Sequence, residues 1–72
     1  MSGQRIILVS PVAGGWAVAC AGLEPLLFRS GGRAEAQARR LAACLSRLGR
    51  AVQVRVLDRS RNVVGDQVYS AG

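Results

Sequence analysis

Hydrophobic and polar positions along the chain change period several times, and each change marks an element. "RIILVS", Arg5 to Ser10, is rich in β-branched residues and runs into Pro11. The composition predicts a strand. Proline cannot donate to a sheet ladder, so it predicts the strand's end. "VAGG" supplies two glycines for a tight turn, because glycine takes positive φ at no steric cost. In "WAVAC" Trp16, Val18 and Cys20 share one face and Ala17 and Ala19 the other, which predicts a second strand. Gly22 and Pro25 interrupt the chain before a third short strand, "LLFRS", Leu26 to Ser30. Residues 1–4 read as a loose polar lead.

The next segment has helical spacing. Ala34, Ala38, Leu41, Ala42, Leu45 and Leu48 lie on one face of a helix. Ser30 or Gly32 is placed to cap it, and Glu35 falls in the first turn, at the positive end of the dipole. Gly49 is the stop, with Arg47 and Arg50 near the negative end. Alanines lead this face and leucines follow. The first half is therefore expected to approach a sheet closely, and the second half to supply the bulk of the packing. "AVQVRVLD", Ala51 to Asp58, then alternates: Val52, Val54 and Val56 face one way, Gln53 and Arg55 the other. Asp58, Ser60 and Asn62 are turn-formers ahead of "VVGDQVY", so residues 51–69 read as a β-hairpin.

The order β-β-β-α-β-β predicts an α+β domain of two layers, an antiparallel sheet with one helix packed on one face. The whole chain, 1–72, reads as one small domain with an ordered core over 5–69, near the size where folding alone is marginal. One helix covers one face of a sheet. Ile6 to Val9 and Leu26 to Phe28 are apolar on both faces, so the second face needs a cover. Self-association through sheet faces or strand edges is the simplest one. The expected assembly is a homodimer, with exchanged strands as one form of it.

Composition adds a charge imbalance. Arginine supplies all ten positive charges, against Glu24, Glu35, Asp58 and Asp66, for a net charge of +6. Such an excess favours anionic partners, here nucleic acid or an acidic protein. A GC-rich genome, which writes Arg for Lys and Ala for Ser, accounts for the same composition. Arg33, Arg40 and Arg47 recur every seven residues along one flank of the helix, Arg39 and Arg50 widen that surface, and Arg59 and Arg61 sit on the distant hairpin tip. These seven are the candidate phosphate or nucleic-acid contacts. A solvated helix face with a Glu35–Arg39 pair is the alternative reading. "SGGR", Ser30 to Arg33, lacks the lysine and spacing of a phosphate-binding loop and reads as a loop entering a helix.

Catalytic chemistry has little to work with. The chain has no histidine, its four carboxylates are scattered, and no serine or cysteine has a base partner. No catalytic residue is assigned, and an enzyme, a cofactor and a small-molecule substrate are not expected. Cys20 and Cys44 have no C-x-x-C spacing and no histidine beside them, so no metal site is expected. Both read as small buried thiols in a reduced, cytoplasmic protein. Ile6 to Val9 is too short for a signal peptide or a membrane span, so no membrane partner is expected. Trp16, Phe28 and Tyr69 read as core or interface anchors, with base stacking as the alternative for Trp16 and Tyr69.

Taken in order, Val9, Pro11, Gly15, Trp16, Val18, Phe28, Glu35, Ala36, Ala42, Asp58 and Tyr69 resemble a family of small bacterial proteins described only as a domain of unknown function. Its pattern is V-x-P, a glycine-rich turn, G-W-x-V, a helix start with E-A, a hairpin and a terminal tyrosine. The likeness runs over about positions 8 to 69. The chain departs from it at "SGGRAEA", where the family has a Thr-Lys start, and at Asn62, where it has glycine. The resemblance implies a fold and no activity. A more distant likeness is to the arm-binding domains of phage-type tyrosine recombinases, in which three strands precede a helix and the sheet reads DNA. Those strands need polar and basic side chains, whereas Val18, Cys20, Leu26 and Phe28 are apolar. The reading reached is a non-enzymatic bacterial domain acting by self-assembly or interaction, with nucleic-acid binding through the arginines as the alternative.

Overall fold

Ser30 begins the helix by capping it: its hydroxyl accepts from the Arg33 backbone N–H at 3.1 Å, and its own backbone is extended. The helix, α1, spans Gly31–Arg47 and closes through Leu48 and Gly49, whose φ of 87° is the left-handed stop that glycine favours. The structure is a computed structural model that describes residues 5–71, so the polar lead at residues 1–4 lies outside the described residues. Before the helix come β1 (Arg5–Val12), β2 (Gly15–Cys20) and β3 (Leu26–Phe28); after it come β4 (Val52–Leu57) and β5 (Val63–Tyr69). The β-β-β-α-β-β order and the α+β class hold.

The five strands form one sheet in the order β3-β2-β1-β4-β5. It is mixed rather than purely antiparallel. β1 pairs with β4 in parallel, Ile7 opposite Val54 and Val9 opposite Val56, while the other three pairings are antiparallel. The helix makes the difference. It carries the chain from β3, at one edge, back over the sheet to the far side of β1, so β4 starts at the same end as β1.

β1 is therefore the central strand, and it continues through Pro11 to Val12 instead of closing there. The β1–β4 ladder ends at Val9–Val56, so Pro11 has no ladder bond to supply on that side. On the other side Pro11 lies opposite Trp16.

The core lies between the helix and one sheet face. Ile7, Val9, Val18, Cys20, Val52 and Val54 meet Ala34, Ala38 and Ala42, which are fully buried. The alanines let the helix backbone come close to the sheet. The expectation that the later leucines supply most of the packing needs correcting. Leu41 and Leu45 are half-buried, and Leu48, at the cap, is exposed. Glu35 also shifts: the helix starts at Gly31, so Glu35 opens its second turn, where it pairs with Arg39. Cys20 is buried as expected, but Cys44 is exposed on the helix, and both are free thiols.

Candidate functional site

The parallel pairing decides which side chains meet. The carboxyl ends of β1, β3 and β4, the β1–β2 turn, the start of α1 and the β4–β5 loop all fall at one end of the sheet. Trp16 stands there, opposite Pro11 on one side and Phe28 on the other. Gly31 lies against its indole, and the Arg59 guanidinium carbon stands over its ring at 5.5 Å from the centroid, a cation–π distance. Arg59 and Arg61 are therefore not on a distant tip. The hairpin turn returns to the end of the sheet where the helix starts.

The loop that carries them is folded around Asp58. Its Oδ1 accepts from the backbone N–H groups of Ser60 (2.8 Å) and Asn62 (2.9 Å), and its own N–H donates to the Asn62 carbonyl. The Asn62 N–H bond in particular holds the Asp58 carboxyl below its ordinary pKa. Arg61 sits in the turn at φ 67°, the only positive φ outside glycine among the described residues.

Ion pairs among the described residues form only at Arg39–Glu35 (3.3 Å) and Arg55–Asp66 (3.6 Å). The candidate arginines thus divide. Arg39 is tied to Glu35; Arg33, Arg59 and Arg61 gather at the Trp16 end; Arg40, Arg47 and Arg50 follow the helix away from it, exposed. Arg29, absent from the candidates, belongs with the arginines at the Trp16 end, because it directly follows Phe28, the β3 partner of Trp16. Its position after a strand that pairs with Trp16 was the available signal. A depression of about 250 Å³ opens beside Trp16, between the β1–β2 turn and Phe28–Arg29.

Trp16, Phe28 and Tyr69 are half-buried around the rim of the core, against its fully buried centre. They anchor the helix-side layer.

The opposite sheet face has no helix on it. By strand alternation it presents Ile6, Leu8, Ser10 and Val12 from β1, Ala17 and Ala19 from β2, Leu27 from β3, Gln53, Arg55 and Leu57 from β4, and Asp66 and Val68 from β5. Leu27 is 73 % exposed and Val68 61 %, and Ile6 and Val12 are exposed as well. The charged residues of this face are Arg55 and Asp66, which pair with each other. Gln53 Nε2 donates to Asp66 Oδ1 at 2.6 Å, and Arg55 Nε is buried without an acceptor. This polar trio was not among the candidates, although the alternation of Gln53 and Arg55 with valines had placed both on the outer face.

Among the described residues, no three His, Cys, Asp or Glu side chains are grouped to hold a metal ion, and no helix is long and apolar enough to cross a membrane. No protein-family model, curated protein or solved structure matches the chain.

Proposed function

We propose that this chain is a non-enzymatic interaction domain that works as a homodimer, joined through the helix-free face of its sheet. The observation that carries the reading is a separation of charge. The net charge is +6, yet the helix-free face holds one arginine and one aspartate, already paired. Two copies that met through their helices would set arginine against arginine. Two copies that meet sheet to sheet bring together the surfaces without net charge and leave the arginines outside.

The same face is chemically suited to a second copy. Exposed Ile6, Val12, Leu27 and Val68 offer apolar area that water otherwise covers, worth roughly 25 cal/mol per Å² buried. Arg55 and Asp66 are neighbours of opposite sign, so a two-fold rotation sets one copy's arginine near the partner's aspartate. The five strands pair within one chain, so face packing needs no exchange of strands.

Sedimentation across the micromolar range tests this. A dimer is expected, with Leu27→Glu or Val68→Glu shifting it to monomer; both side chains are exposed, so the fold of one chain is spared. A monomer at high micromolar concentration overturns the reading. So does a dimer that neither substitution weakens.

A further inference from the structure

The end of the sheet around Trp16 has a chemistry that dimerisation leaves unused. Four arginines, Arg29, Arg33, Arg59 and Arg61, fall at the same end of the sheet as the chain's single tryptophan, Arg59 over its ring and Arg29 beside the depression next to it, and none has a carboxylate partner among the described residues. Asp58, the nearest acidic residue in sequence, spends Oδ1 on two backbone N–H groups. Glu35 is held by Arg39, and Glu24 lies in the β2–β3 loop at the other end of the sheet. Positive charge is thus concentrated at one end, next to an aromatic ring.

We propose that this end is a binding site for single-stranded nucleic acid, with phosphates on Arg29, Arg33, Arg59 and Arg61 and a base against Trp16. Two features favour it over other anions. Gly31 lies against the half-buried indole and the flat Arg59 guanidinium stands over its ring, so a base takes the guanidinium's place on the ring and frees Arg59 for phosphate. A polyphosphate or a carboxylate-rich peptide does not need that flat π-surface. The neighbouring depression, about 250 Å³, falls below the ~300–1,000 Å³ of sites for whole drug-sized ligands, and so is on the scale of one base.

A duplex is disfavoured on geometry. Its bases are stacked inside and out of reach of a ring set among turns. Arg40 and Arg47 continue from Arg33 along one helix flank in steps of about 10.5 Å, giving the backbone a path away from Trp16.

Because Trp16 is the only tryptophan, its fluorescence reports the site directly. The full chain is titrated at about 50 mM salt with a single-stranded oligonucleotide of about twelve nucleotides. Quenching is expected, with log affinity falling against log salt at a slope of about −3, near −0.7 for each of four phosphate contacts. Arg59→Ala with Arg61→Ala is expected to weaken binding about tenfold or more, while Val68→Glu, on the helix-free face and away from the depression, leaves it unchanged in affinity per chain, so this proposal and the dimer fail separately. Labelled-oligonucleotide anisotropy repeats the measurement where a variant alters the Trp16 signal. Absence of quenching and of anisotropy change at low salt overturns the site. Equal affinity for polyglutamate marks an acidic-protein surface and equal affinity for a duplex marks plain charge attraction; either overturns it too.

Discussion

A methyl group on Gly31 would stand 3.0 Å from Cε2 of Trp16, so the helix begins with its backbone against the indole. Gly32, one residue on, meets nothing closer than the Ser30 hydroxyl at 3.9 Å. The two glycines of "SGGR" therefore do different work. Gly31→Ala is expected to destabilise by about 1–3 kcal/mol, because the ring or the helix must move. Gly32→Ala is expected to stabilise by about 0.5–1 kcal/mol through helix propensity. Denaturant midpoints of the two variants check this, and equal effects would contradict the contact.

Arg61 holds a left-handed backbone that glycine or asparagine adopts more readily. Arg61→Gly is expected to raise stability by up to about 1 kcal/mol, a rise of some 4–8 °C in Tm for a domain of this size. The same variant is expected to bind the oligonucleotide more weakly while melting higher. A variant that melts lower would show that Arg61 makes contacts worth more than its backbone strain.

Asp58 links the β4–β5 loop to pH. Its folded pKa lies below the ordinary value of 3.8, with the Asn62 backbone N–H as the main cause. Its contribution to stability is therefore present above the unfolded pKa and is lost as pH falls through the folded one. Asp58→Ala is expected to lower the urea midpoint at neutral pH, and the gap from the parent chain is expected to close in strong acid. A gap unchanged from neutral to acid pH would remove the carboxylate from the account.

Ala38 is fully buried at the middle of the helix face. Ala38→Leu is expected to cost about 1–3 kcal/mol by forcing helix and sheet apart, whereas Leu48→Ala, at an exposed cap, is expected to stay within about 0.5 kcal/mol. Thermal melts of both decide whether the alanine stripe sets the distance between the layers.

Most of the architecture was readable along the chain, because alternation and helical spacing report which way a side chain faces. Val52, Val54 and Val56, and Trp16, Val18 and Cys20, sit on the helix side as their periods imply. Facing does not reveal partners. Nothing in "RIILVS" or "AVQVRVLD" states that the two strands run in parallel; the path of α1 over the sheet decides that. The position of the arginines follows from the same choice. With β4 parallel to β1, the β4–β5 turn comes back to Trp16, and Arg59 reaches the ring. An antiparallel partner would send that turn to the far end, beside Glu24. The passage of β1 through Pro11 was hidden for a related reason, since it depends on where the neighbouring ladder stops.

The parallel pairing also orders events in time. Ile7 waits for Val54, which lies beyond the whole helix in the sequence. As the chain leaves the ribosome, β1, β2 and β3 are able to form a local meander, but the middle strand of the finished sheet keeps one open edge until the helix and β4 have been made. β1, made before the helix, is completed only by a strand made after it. A fragment that stops at Gly49 carries that edge bare, and is expected to aggregate where the full chain stays dispersed.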